Sequence, residues 1–106
     1  MTEVKDNEFD EFIQEGVVLV DLWAPWCGPC RVLGPIVDQL DVEMLHEGKN
    51  VKMGKLNVDE ARDKAVDLGV TSIPTILIYK DGVVVERTTG VVQKTKLREL
   101  LEKHMS

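Results

Sequence analysis

Residues 23–31 read Trp23-Ala24-Pro25-Trp26-Cys27-Gly28-Pro29-Cys30-Arg31, and these nine positions hold both cysteines, both tryptophans and two of the four prolines of the chain. A cysteine pair this close in sequence can be a structural staple, part of a metal site, or two sulfurs that cycle between dithiol and disulfide. As a staple it does little: closing a loop of about four residues is worth on the order of 2 kcal/mol, against about 4.7 kcal/mol for a loop of about 100. Zinc wants four ligands, and only His46 and His104 are plausible soft partners, neither in an H-x₃₋₅-H pair. Haem attachment asks for His after the second cysteine, where Arg31 stands, and an iron–sulfur cluster asks for four cysteines. The expectation is no metal and no bound cofactor beyond the Cys27–Cys30 pair itself.

The flanking pattern supports redox chemistry. On the N-terminal side "VVLVDL", Val17 to Leu22, is an aliphatic, largely β-branched run of strand length that suits a strand buried on both faces. On the other side "VLGPIVDQLDVEMLHEG" carries Val32, Ile36, Val37, Leu40, Met44 and Leu45 at helical spacing and ends at Gly48, with Pro35 expected to kink it. Cys27 then falls at or near a helix N-cap, where free backbone N–H groups and the positive dipole end favour a thiolate. This makes Cys27 the nucleophile, the one thiol expected to combine a cap position with exposure. Cys30 lies one helical turn inward, within disulfide reach, and is the resolving thiol. Gly28 permits close approach of a substrate backbone, and Pro29 fixes φ in the first helical turn.

Outward from this centre, "DNEFDEFIQEG" reads as a short helix capped by Asp6 or Asn7 and closed by Gly16. "VKMGKLNV" (51–58) is a strand, and "DEARDKAVDLG" a helix capped by Asp59 and ended by Gly69. Thr75–Lys80 and Val83–Thr89 are two strands joined by Asp81-Gly82, a hairpin signal, and "KTKLRELLEKH" is an amphipathic helix. The chain is therefore expected to be α/β, a βαβ half and a ββα half forming a central mixed sheet flanked by helices, in a single domain over 1–106.

Composition narrows the function. The net charge of −6, from 19 acidic against 13 basic side chains, disfavours a nucleic-acid partner. No apolar run approaches the roughly 20 residues that span a bilayer, so no membrane partner is expected. "MTEVKDNEFDEF" does not resemble a secretory signal, and two cysteines do not make a disulfide-rich secreted chain; a cytoplasmic location is expected.

Asp21 stands out as an acid inside "VVLVDLW", where a carboxylate is costly unless paired or protonated. It is either a structural acid or a functional one. Lys55 shares the strand phase of Val51 and Met53, so it is either an ordinary exposed lysine or one turned inward toward Asp21. Of the two tryptophans, Trp23 is expected to pack beneath the site and Trp26 to form an exposed apolar rim for protein substrates.

"WCGPC", the preceding "VLVDLWA", "KLNVD", "SIPT", and the glycines Gly82 and Gly90 together resemble the thioredoxin family from end to end. The resemblance implies the thioredoxin fold and a general protein-disulfide reductant, a monomer that a thioredoxin reductase, NADPH- or ferredoxin-linked, recharges and that acts on disulfide-containing proteins. It assigns Asp21 proton transfer toward Cys30 and favours Lys55 as its buried partner. It also implies a cis Ile73–Pro74 bond facing the sulfurs, with Ile73 and Thr75 offering backbone hydrogen bonds to substrate, Pro74 denying the sulfurs a metal, and Gly90 and Val91 beside the same groove. Leu22 for the usual Phe, Arg31 for a frequent Lys, Pro25, and a longer "MLHEGKNVKM" depart from the pattern without touching the sulfur chemistry. A partner-binding subunit without turnover and an oxidase or isomerase on the same fold are the alternatives, and intact Cys27, Cys30, Asp21 and Pro74 with Gly-Pro between the cysteines argue against both.

Overall fold

The computed structural model describes residues 1–105, so Ser106, the last residue of the expected domain, lies outside the described residues. One five-stranded sheet runs in the order β1-β3-β2-β4-β5, from β1 (Thr2–Glu3), β2 (Val17–Trp23), β3 (Val51–Asn57), β4 (Thr75–Lys80) and β5 (Val83–Thr89). β1 and β2 lie parallel to β3, β4 is antiparallel to β2, and β5 to β4. This is the mixed sheet the pattern indicates, with one strand more: β1 is two residues long and carries no periodicity to read.

Strand alternation sorts the core. Val18, Val20 and Leu22 of β2 point to one face, where they meet Phe9 of α1 (Phe9–Phe12), Ile13 just after it, and Ala65 of α3 (Arg62–Asp67). Val17 and Leu19 point to the other, against Leu33, Val37, Leu40 and Met44 of α2 (Gly28–His46) and Leu97 and Leu101 of α4 (Lys94–Glu102). By the same period of two, Asp21 falls on the α2 face. The β4–β5 turn has both central residues at positive φ, Asp81 at 49° and Gly82 at 86°, the twist a two-residue hairpin needs. α2 continues through Pro35 from Gly28 to His46.

Two helix starts differ from the pattern. Asp6 and Asn7 lie inside a 3-10 turn, Asp6–Glu8, whose N-cap is Lys5; Glu8 Oε1 accepts the Lys5 N–H at 3.0 Å, so the later acid satisfies the free donor. Asp59 does not cap α3, which begins at Arg62. Asn57 anchors this turn instead: its side chain accepts the Asp59 N–H at 2.9 Å and its carbonyl accepts the N–H groups of Glu60 and Ala61. The Asp59 carboxylate is thereby free for another partner.

Candidate active site around the cysteine pair

Cys27 is the N-cap residue of α2, with extended backbone, and its Sγ accepts the Cys30 N–H at 3.2 Å. The two Cα atoms are 5.3 Å apart and the sulfurs are bonded. A helix of 19 residues thus aims its positive end at one sulfur, Cys27, while Cys30 sits inside the first turn. Pro29 occupies that turn, where its missing N–H costs nothing, and the space beyond the Gly28 Cα is open. Exposure does not separate the sulfurs as expected: both cysteines are 5% exposed, because Ala24, Trp23, Val58 and Ile73 pack around the pair. The cap position alone distinguishes Cys27.

The tryptophans part as expected. Trp26 is 66% exposed, and its indole N–H donates to both Asp59 carboxylate oxygens at 3.0 and 3.2 Å. Trp23 is half-buried, packs against the cysteine pair, and has its Nε1 buried without a partner. The Trp26–Asp59 contact was not legible in sequence, where Asp59 reads as a helix cap.

Asp21 is 1% exposed, and its Oδ1 has no hydrogen-bond partner in the protein. Burial pushes its carboxyl up to about 7; the Lys55 charge pulls it down and the Asp38 charge pushes it further up. Asp21 and Lys55 are register partners across the parallel β2–β3 pair and so share the α2 face. They form no direct ion pair: the Lys55 Nζ lies 5.0 Å from the Trp23 ring centroid, held over the indole rather than on the carboxylate. The expected buried pair is therefore an attraction across the site without contact. Asp21, Lys55, Cys30 and Trp23 line one cleft of about 380 Å³, whose other wall is Pro35 and Asp38 of α2.

On the far side of the sulfurs, the Ile73–Pro74 bond is cis. Ile73 packs against the cysteine cluster, and the buried Pro74 accepts the Gly90 N–H on its carbonyl at 2.8 Å. That contact, with Gly90 at φ 85°, draws the β5 end to the site and leaves Val91 49% exposed beside it. Thr75 is buried, its hydroxyl donating to the Ser72 carbonyl at 2.6 Å. A groove of about 550 Å³ runs from Trp26 and Ile73 along α3 past Val58, Val66 and Arg62. Every residue the sequence singles out around the sulfurs, from Asp21 to Gly90, lies at this end of β2; Arg31, whose guanidinium donates to the Pro25 carbonyl at 3.0 Å, braces the loop between them. Among the described residues no group of three or more His, Cys, Asp or Glu side chains is placed to hold a metal, and no helix is long and apolar enough to cross a membrane.

Comparison with known proteins agrees with this geometry. The Thioredoxin family profile matches residues 1–103. The chain is 48% identical to the thioredoxin of Bacillus subtilis over 100 residues, 94% of this chain and 93% of that one. It is 47% identical to the thioredoxin of Synechocystis over 105 residues, covering 97% and 95%. A mutant thioredoxin from Halobacterium salinarum superposes with a TM-score of 0.86 at 33% identity, covering 99% of this chain and 90% of the other.

Proposed function

The chain belongs to the thioredoxin family and is a protein thiol-disulfide oxidoreductase, and from that premise we propose that it works as a general protein-disulfide reductant, a monomer of one domain over residues 1–106. The observation that carries the reading is the seat of Cys27 at the head of α2, its sulfur facing backbone N–H and dipole while Cys30 waits one turn inside. In the dithiol form, the Cys27 thiolate attacks one sulfur of a substrate disulfide. A Cys27–substrate bond forms and the first substrate thiolate leaves. Cys30 then gives its proton to Asp21 and attacks Cys27 Sγ, which closes the Cys27–Cys30 disulfide and expels the second substrate thiolate. Two electrons have passed to the substrate, and the expelled thiolates take up protons from Asp21 and solvent.

Asp21 suits the receiver's task because a carboxyl titrating near 7 exchanges protons readily at neutral pH. Lys55, held over Trp23, supplies positive charge that steadies the ionised form. Trp26, Gly28, Pro29, Ile73, Gly90 and Val91 form the surface on which an extended substrate segment lies, with the buried Pro74 and Thr75 shaping it from beneath and Trp23 and Pro35 beside it. We read a thioredoxin reductase, NADPH- or ferredoxin-linked, as the donor that restores the dithiol, with no bound cofactor, and a reducing cytoplasm as the setting that suits a protein reductant. Insulin reduction with dithiothreitol as donor tests the activity. Turnover that disappears in Cys27→Ser supports the reading, whereas a parent protein no faster than dithiothreitol alone overturns it.

A further inference from the structure

The cleft behind Cys30 brings charges from three directions onto Asp21. Lys55 faces it from β3, Asp38 and Arg31 from α2, and the Met1 ammonium closes the rim. β4 brings none, since its register partner to Asp21 is Ile76. Cys30, Gly34 and Asp38 recur every four residues on α2, so they form one row along the helix, and Gly34 leaves the space between the other two open. The resolving sulfur and Asp38 thus look into the same space as the buried acid. Met1 contacts Asp38 at 3.0 Å and Asp41 at 3.4 Å, so the one ammonium is shared between two carboxylates and neither is fully neutralised by it.

We propose that Asp38 is a positioning residue for the redox reaction: its carboxylate, on the wall of the cleft that Asp21 and Cys30 share, opposes the ionisation of Asp21 and so sets the pH range over which that acid exchanges a proton with Cys30. The inference rests on the reading of Asp21 as the proton receiver. Asp38 is itself exposed and water screens much of its charge, but the cleft it lines leads to a buried carboxyl, and the part of its field that passes through the protein side of that cleft is screened less than in bulk water. Burial supplies the larger part of the push on Asp21, and the Asp38 charge acts in the same direction. Lys55 acts against both, so the working range of the acid is a balance set by two residues that touch neither sulfur.

The test replaces Asp38 by Asn, which keeps the shape and removes the charge. Asp41→Asn is the control, because Asp41 also holds Met1 but does not line the cleft. The Asp21 carboxyl is followed by carbon-13 NMR of the oxidised protein against pH, and release of reduced substrate from the mixed disulfide by single turnover. Asp38→Asn is expected to move the Asp21 titration to lower pH and make release about twofold faster at pH 6, with little change at pH 8. Asp38→Glu is expected to restore the parent profile, and Asp41→Asn to leave it in place. An Asp21 titration that stays with the parent in Asp38→Asn, or one that Asp41→Asn moves equally, overturns the inference. A titration that moves while the release profile does not leaves the Asp38–Asp21 coupling standing and overturns instead the reading of Asp21 as the receiver.

Discussion

Where α2 meets α4, Arg98 donates to both Glu47 carboxylate oxygens at 2.8 Å and to Glu43 at 3.3 Å, Lys94 pairs with Glu43, and Lys49 with Glu102 at 2.6 Å. Where α2 begins, the same helix covers an acid with a buried, unpartnered oxygen, and the nearest lysine is turned onto an indole. The first region is rich in ion pairs and sits in water, where each pair gains little because solvent already screens it. The second holds a single carboxyl, yet burial makes its ionised form costly. Counting charged contacts would rank the regions the wrong way round. Free energy that is withheld from stability at the start of α2 is what leaves Asp21 able to move a proton near neutral pH.

The sharpest way to break the comparison is at the sulfurs. Cys27→Ser is expected to abolish turnover, a loss on the order of 10³-fold or more. Cys30→Ser is expected to stop at the mixed disulfide and accumulate it, which mass spectrometry after incubation with oxidised insulin reads directly. Brief, limiting iodoacetamide on the reduced protein should label Cys27 before Cys30. As both are equally buried, this order depends on the helix cap, and preferential labelling of Cys30 would reverse the two roles.

Next in size is Asp21→Asn. The folded carboxyl titrates about 7, above its ordinary value of 3.8. Below the ordinary value both folded and unfolded chains are protonated and burial of the acid carries no ionisation penalty. As pH rises from about 4 to about 7 the unfolded chain releases its proton and the folded one does not, so the parent loses relative stability across that window. Three units correspond to about 4 kcal/mol at most, less what the buried amide of Asn costs. The variant is thus expected to be more stable than the parent at pH 8 and similar near pH 3 in denaturant melts. Its release of reduced substrate is expected to slow on the order of 10²-fold, since Cys30 has lost its receiver. A less stable variant with parental rates would make Asp21 a structural acid.

A smaller effect is expected at the rim. Asp59→Ala removes the acceptor that holds the Trp26 indole. A single hydrogen bond of this kind is worth about 1 kcal/mol, so KM for a protein disulfide should rise about threefold to fivefold while exchange with dithiothreitol stays unchanged. Equal losses with both substrates would place the effect on the sulfurs rather than on the docking surface.

Much of the redox region was legible because its residues break local rules. An acid in a β-branched strand and two cysteines at a helix start are conspicuous against their surroundings, and the period-two phase of β3 puts Lys55 on the correct face. Phase does not fix a side chain's last torsions, however, so it could not show the Lys55 ammonium over Trp23 rather than on Asp21. Asp59 looked like a cap because caps are local and frequent, whereas its true partner lies 33 residues away. Asp38 carries no signal in the sequence: it is an exposed acid of α2, and its relation to Asp21 exists only once α2 crosses the end of β2. β1 was invisible for another reason: two residues paired to Gly54 and Lys55 are held by the sheet edge, not by any pattern of their own.

The least effect is expected from the ion-pair region, and its sign is what makes it informative. Hydrogen bonds from Lys94 hold Glu43 below its ordinary range, and hydrogen bonds from Arg98 do the same for Glu47. An acid lowered on folding contributes stability that is present above its unfolded value, ordinarily 4.5, and is lost as pH falls through the folded value. The two regions therefore tilt the stability curve in opposite directions: these glutamates weaken the protein on the acid side, while Asp21 weakens it as pH rises toward neutrality. Arg98→Met is expected to flatten only the loss below about pH 4.5 and leave the slope between about 4 and 7 unchanged, with no effect on insulin reduction. Salt should imitate the variant, because exposed pairs are screened within about 10 Å at 0.1 M ionic strength and a buried carboxyl is not. Denaturant melts at pH 3, 5 and 8, each at low and high salt, read both slopes. If salt flattened the neutral slope as strongly as the acid one, Asp21 would be answering to surface charge rather than to burial, and the contrast between the two ends of α2 would fail.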